Sequence, residues 1–317
     1  MKRGNISIFI PHMGCKNRCS FCNQRAITGV VTKSDIEESV LKANNPNAEI
    51  AFFGGSFTLI EHDYMIELLK SATEFVNKGL AKSIRFSTRP DGITREILNE
   101  IKKYPVSTIE LGCQSMDDEV LVANRRGHTA DDIKKASALI KEYGFNLGLQ
   151  MMVGLYKSSN EKDIFTAKEI IALKPNCVRI YPTVVIKNTL LEKLYLSGEY
   201  KPLSIDEAVD ISAILLAMFN EENIPVIRLG LHEVEDNIAG PFHPAFGELA
   251  VNKLMLNKVL GLLKEKGNYK IFVNKSFVSK MIGQRRKNIE ILNQMGYNCN
   301  VCVDNLKDYE IKIIKDV

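Results

Sequence analysis

No stretch of this 317-residue chain approaches 18 consecutive apolar residues, so a membrane-spanning helix is not expected. A secretory leader is not expected either. Behind the basic Met1-Lys2-Arg3 start lies only the short run Ile6–Pro11, which reads as a first strand and points to a cytoplasmic protein. Internal repeats and low-complexity segments are lacking. The seven cysteines are odd in number and unevenly spread, with three of them inside eight positions. That pattern argues against a disulfide framework and for metal binding. Cys113 and Cys177 lie in strand-like runs and read as small buried hydrophobes. Hydrophobic content of 45% and charged content of 25% are those of a water-soluble globular chain.

Charge is divided unequally. From Asn252 onward there are 13 Lys and Arg against 6 Asp and Glu, whereas residues 1–251 carry 29 against 32. A mildly acidic body with a basic tail suggests an anionic partner for the tail. Between residues 5 and 230, short β-rich runs (Ile6–Pro11, Glu49–Phe53, Ser83–Ser87, Thr108–Gly112, Asn146–Val153, Cys177–Tyr181, Pro225–Leu229) alternate with amphipathic helical stretches. Regular alternation predicts a parallel sheet with right-handed crossovers. Polar residues cluster just after the strands, which is the layout of a barrel-type active site. About six βα units would form a partial (β/α) barrel with a mouth wide enough for a macromolecule. The expected divisions are a barrel over 1–231, a connecting segment and helix over 232–267, and a small α+β unit over 268–317. The excursion over 183–205 falls on the active-site face, where long loops tend to carry function.

His12-Met13-Gly14-Cys15-Lys16-Asn17-Arg18-Cys19-Ser20-Phe21-Cys22-Asn23 contains C-x3-C-x2-C directly after the first strand. Three thiolates can hold three irons of a cubane cluster and leave the fourth open. An open coordination position distinguishes catalytic from structural metal sites. Zinc is the rival reading, with His12 as a fourth ligand. Phe52-Phe53-Gly54-Gly55-Ser56-Phe57 ends the second strand, and its glycines let backbone approach a ligand closely; alone, Gly-Gly-Ser would be an ordinary turn.

The cysteine spacing, with an aromatic residue before the third cysteine, resembles the signature of the radical S-adenosylmethionine (SAM) superfamily. The resemblance implies a 4Fe-4S cluster on Cys15, Cys19 and Cys22, and SAM on the open iron. Reductive cleavage of SAM would then release a 5′-deoxyadenosyl radical, with an electron from a donor such as flavodoxin or ferredoxin. Phe21 and Asn23 would flank the cofactor, and Gly54, Gly55 and Ser56 would occupy the place of the superfamily's Gly-Gly-Glu at the SAM amino group.

Ser87-Thr88-Arg89-Pro90, Gln114-Ser115, Arg125-Arg126-Gly127-His128-Thr129 and Arg179-Ile180-Tyr181-Pro182 further resemble the radical SAM domain of the catalytic subunit of Elongator, which modifies wobble uridine in tRNA. By that resemblance, Gln114 and Ser115 would lie at or beside the SAM ribose. Arg126 would face the SAM carboxylate, with a surface ion pair as the alternative. Arg89 would belong to the cofactor site or fix the turn before Pro90. Tyr181 and Lys187 would lie near the substrate, although Lys187 could equally be a solvated lysine. The family's acetyltransferase domain is not expected in this chain, which leaves any use of acetyl-CoA in doubt.

The tail reads β-α-turn-α-β, with Gly283-Gln284-Arg285-Arg286-Lys287 at the helix–helix turn. KH domains clamp nucleic-acid backbone at such a turn. Here the second glycine is replaced by Arg286, so the alternative is a helix with a solvated basic face. Arg285, Arg286 and Lys287 are the candidate RNA contacts. Cys299 and Cys302 form an isolated C-x2-C, for which zinc is a minor alternative. These observations predict a radical SAM enzyme acting on RNA, with tRNA foremost and DNA not expected. The alternatives are a radical SAM enzyme acting on a tetrapyrrole or peptide, and an RNA-binding protein with a structural or redox-sensing cluster.

Overall fold

A computed structural model describes residues 4–10, 15, 18–23, 29–232 and 236–316. Seven strands form one wholly parallel sheet in sequential order: β1 (Asn5–Ile10), β2 (Glu49–Gly54), β3 (Ser83–Thr88), β4 (Val106–Gln114), β5 (Asn146–Val153), β6 (Cys177–Pro182) and β8 (Val226–Leu229). β1 and β8 do not pair with each other. The sheet is therefore an open arc, the expected partial barrel, with its seven strands on the seven expected runs and six βα units between them.

The two faces of the sheet follow from alternation within each strand. Ile6, Ile8, Ile10, Ile50, Phe52, Ile84, Phe86, Ile109, Leu111, Leu147, Leu149, Val178 and Ile180 are buried on the convex face. They pack against the apolar stripes of α1 (Lys33–Ala43), α2 (His62–Asn77), α3 (Arg95–Ile101), α5 (Ala130–Glu142), α6 (Asn160–Ala172) and α8 (Ile205–Glu221). A short α4 (Asp118–Ala123) precedes α5. Removing each such side chain from water contributes about 1.5–3 kcal/mol. Capping boxes at Thr32, Thr129 and Ser204 set where α1, α5 and α8 begin. Each is worth roughly 1 kcal/mol. The alternate positions turn the other way and line a lumen that includes Ser7, Glu49, Arg85, Ser87, Gln150 and Arg179.

Outside the barrel, residues 183–205 form β7 (Val185–Ile186) and α7 (Leu190–Leu196). β7 pairs antiparallel with β9 (Asn237–Ala239). α9 (Phe246–Leu262) is buried on several sides: Phe246 packs with Ala208 and Val209, Leu254 with Ala213 and Leu216, and Met255, Leu256 and Val259 with the tail. The tail consists of β10 (Gly267–Val273), α10 (Val278–Ile282), α11 (Lys287–Gln294), β11 (Tyr297–Val303) and β12 (Lys312–Lys315). Its sheet order is β11-β10-β12, with β10 parallel to β11 and antiparallel to β12. The tail is thus a small mixed sheet with helices on one face. Its last strand begins at Lys312.

Candidate cofactor site at the barrel mouth

Cys15, Cys19 and Cys22 line one small cavity of about 160 Å³ together with Phe21, Gly54, Gly55, Ser56, Arg89, Gln114, Arg126 and Gln150. The C-terminal ends of β2 to β4 bring these groups together from positions far apart in sequence. Gly54 has φ 100°, a conformation glycine adopts without steric cost, and Gly55 N–H donates to the carbonyl of Ile10 (3.3 Å). Beside them, Ser56 Oγ lies 3.4 Å from Cys15 Sγ.

The cysteine loop is braced from two sides. Ser20 N–H donates to the Asn124 carbonyl (3.1 Å) and Ser20 Oγ to Asn124 Oδ1 (2.6 Å). The Ser20 carbonyl accepts from Leu191 N–H at the start of α7 (2.8 Å). Phe21 packs with Val185, Leu191 and Tyr200, so the long excursion after β6 holds the loop in place. Asn23 Nδ2 donates to the Lys187 carbonyl (3.4 Å).

Arg126 points inward. Its Nη1 donates to Cys19 Sγ (3.0 Å) and its Nη2 to the Gly112 carbonyl (2.5 Å), while its guanidinium lies 5.9 Å from the centre of the Phe21 ring. Arg89 is tied to Asp91 through Nε (2.8 Å) and to the Arg126 carbonyl through Nη2 (2.6 Å). Ser115 is turned away, with its hydroxyl 3.3 Å from Thr166 Oγ1 and accepting from Asp117 N–H (3.1 Å).

Three buried polar atoms in this cavity, Arg89 Nη1, Gln114 Oε1 and Arg126 Nε, have no hydrogen-bond partner among the described residues. Buried groups without partners cost about 1–3 kcal/mol each unless a ligand supplies one. Gln114 has φ 69°, a strained conformation for a residue with a side chain. Burial, then the neighbouring Cys19 and Cys15, push the Cys22 thiol up to about 12. Gathering three thiolates here therefore calls for a strong positive charge, which the irons of a cluster supply. Among the described residues no three metal-ligating side chains converge on one ion, as a mononuclear zinc site would need. A cubane instead spreads its thiolates over three irons. His12 lies outside the described residues. The residues present fit a cluster with a polar ligand beside it.

The lumen below is a cavity of about 870 Å³ that shares Gly54, Ser87 and Gln150 with the cysteine cavity. Its centre is an ionic network that a reading of the sequence alone does not reveal. Glu110 accepts from Arg85 Nε (2.9 Å), Arg179 Nε (2.5 Å) and Nη2 (3.0 Å), and Gln150 Nε2 (3.0 Å). Arg85 also reaches Glu49 (2.8 Å). Burial would raise the Glu110 carboxyl, but the two guanidiniums outweigh it and hold it below the usual range. Gly148 makes room for this network, since a Cβ there would come within 2.7 Å of Glu110 Cγ. The available signal was the period-two series of polar residues inside apolar strands, Ser83-Arg85-Ser87 and Thr108-Glu110.

Tyr181 lines the lumen, whereas the Lys187 ammonium lies apart from it, exposed and 3.8 Å from Asp236. In the tail, Arg285 and Arg286 have left-handed φ values of 52° and 64° and are exposed. Lys287 lies 3.8 Å from Asp206 on α8. Cys299 is buried in the tail core, and Cys302, three residues along the same strand, faces the other side of the sheet, so the pair cannot bind one zinc.

An open parallel barrel with a three-cysteine cavity at its C-terminal mouth, continuous with a polar lumen, defines a cluster-dependent barrel enzyme. The chain belongs to the radical SAM superfamily, whose profile matches residues 9–168, and the radical SAM C-terminal domain profile matches residues 175–256. Its cofactors are accordingly a 4Fe-4S cluster and SAM. The chain is 31% identical over 202 residues to a tRNA uridine(34) acetyltransferase of Methanocaldococcus jannaschii, a match that covers 57% of this chain and 37% of that protein. An uncharacterized protein of the same organism is 29% identical over 84% of this chain and 81% of its own length. The fold is shared with the archaeal Methanocaldococcus infernus Elp3 with an N-terminal deletion, at a TM-score of 0.64 and 24% identity, covering 81% of this chain and 63% of that one. The chain thus spans a little over a third of the tRNA uridine(34) acetyltransferase it matches. Among the described residues, no helix is long and apolar enough to cross a membrane.

Proposed function

We propose that this radical SAM enzyme modifies RNA, with tRNA as the substrate. The observation that carries the reading is the open lumen. The barrel stops at seven strands, its mouth leads directly into the cofactor cavity, and its walls are polar and partly cationic. A nucleotide unstacked from an RNA loop could enter there, as RNA readers commonly splay out single-stranded bases. The similarity to tRNA uridine(34) acetyltransferases across 57% of the chain supports the same reading.

In the assignment proposed here, Cys15, Cys19 and Cys22 hold the cluster. Gly54, Gly55, Ser56, Arg89, Gln114 and Arg126 surround SAM, with Phe21 and Asn23 at the edge of its site and Ser115 behind Gln114. The chemistry the bound group supplies is hydrogen abstraction by a 5′-deoxyadenosyl radical. The chain's own work is to place the target within reach and keep water away. Tyr181 stands on the lumen wall where a substrate would pass, and a small carrier such as flavodoxin or ferredoxin would deliver the electron. Acetyl transfer lies outside the proposal, because the similarity covers only a part of those relatives.

The test is anaerobic reconstitution followed by quantification of 5′-deoxyadenosine with and without total tRNA. The expected outcome is a several-fold increase with tRNA. No increase with tRNA, alongside an increase with a tetrapyrrole or peptide, would overturn the RNA assignment.

A further inference from the structure

The lumen carries more positive than negative charge, with Lys82, Arg85, Arg179 and Arg228 against Glu49 and Glu110. Among the described residues its carboxylates are spoken for. Glu110 is saturated by Arg85, Arg179 and Gln150, and Glu49 accepts from Arg85, Ser83 and Ser107. Arg228, on β8, is the exception among the lumen arginines. It is half-buried, its Nε donates to the Gly230 carbonyl (2.9 Å), and it has no carboxylate partner among the described residues. His232 and Tyr181 line the same cavity. Arg228 and Arg179 are both close enough to help depress the imidazole of His232, after burial, and to moderate the raised phenol of Tyr181.

A half-buried guanidinium with no carboxylate partner among the described residues, sharing its cavity with a phenol and an imidazole that can donate, is a seat for an anion. A planar guanidinium presents a fork that matches phosphate oxygens. We infer that Arg228, with His232 and Tyr181, binds a phosphate of the nucleotide that enters the lumen. β8 forms the edge of the arc opposite β1, which leads into the cysteine loop. A phosphate held on this wall leaves the attached sugar and base facing the cofactor cavity, with Gln150 common to both spaces. This inference rests on the RNA reading and names the group through which the substrate is gripped. It also places the anion contact on β8, away from Lys187.

The experiment compares binding of uridine 5′-monophosphate and uridine to the reconstituted full chain by anaerobic titration calorimetry, at low and high salt. Uridine 5′-monophosphate should bind about tenfold or more tightly than uridine, since a hydrogen bond to a charged group is worth roughly a factor of ten. The preference should shrink with added inorganic phosphate. Arg228→Gln should abolish it and Arg228→Lys should restore part of it. Equal binding of the two probes by the unaltered enzyme, or a preference that survives in Arg228→Gln, would overturn the seat. If Arg228→Gln fails to fold, the comparison in Arg228→Lys decides: an undiminished preference there also overturns it. The deoxyadenosine assay with tRNA separates the two readings. Stimulation by tRNA without a phosphate preference removes only the seat, and an Arg228-dependent preference without stimulation removes only tRNA as the substrate.

Discussion

Arg126 stands at the meeting point of two demands. One guanidinium nitrogen donates to Cys19 Sγ, another to the Gly112 carbonyl, and the third faces the cavity with no partner among the described residues. The first contact braces Cys19, and in the assignment proposed above the free nitrogen would meet the SAM carboxylate. Cys19→Ala and Arg126→Ala should therefore fail differently. The cysteine variant should lose its iron after anaerobic reconstitution, because a cubane cannot be held by two thiolates. The arginine variant should keep its iron and bind SAM about tenfold or more weakly by calorimetry, from the loss of a charged hydrogen bond worth roughly 1.5–3 kcal/mol. Full iron in Cys19→Ala, or unchanged SAM affinity in Arg126→Ala, would count against these roles. The cysteines were legible because their spacing is local. The contact between Arg126 and Cys19 was not, because 107 residues separate the two.

Between α4 and α5 lies a buried side chain whose charge state bears on stability. His128 is 5% exposed, and burial, then Arg126 and Arg89, push its imidazole down to about 4 from an ordinary 6.5. The folded chain thus holds His128 neutral where the unfolded chain protonates it. Unfolding takes up a proton in that window, so this contribution is intact above about pH 6.5 and is lost as pH falls toward 4. The slope should be about 1.4 kcal/mol per pH unit at most. Urea denaturation of the cluster-free chain between pH 4 and 8 should show this loss, and His128→Gln should flatten it. An identical pH slope in the variant would show that another group is responsible. The strands and helices were readable from periodicity, since alternation of two and spacing of three to four are local properties. β9 was not, because three residues acquire a strand only by pairing with β7, some fifty positions earlier.

Across the full chain, barrel and tail carry opposite charge, and α9 joins them through apolar packing on both sides. If the exposed turn at Arg285, Arg286 and Lys287 meets RNA phosphates, tRNA affinity should fall with salt by roughly 0.7 of a log–log slope unit per single-strand contact. Replacing all three with Ala should flatten that slope and weaken binding of all tRNAs alike, as backbone contacts carry no sequence information. Filter binding at several salt concentrations measures both; unchanged slope and affinity would shift the docking surface elsewhere. Lys287 is already 3.8 Å from Asp206, so its share should be the smallest. The order of elements, the parallel barrel, the three cysteines and the superfamily were all present in the linear text, because each depends on residues close together in the chain. The ionic network on Glu110, the lack of a carboxylate partner for Arg228 among the described residues and the turning away of Ser115 depend on which strand neighbours which and on which face each side chain takes. Those relations arise only when the sheet curves around the lumen, where low dielectric makes each pairing consequential.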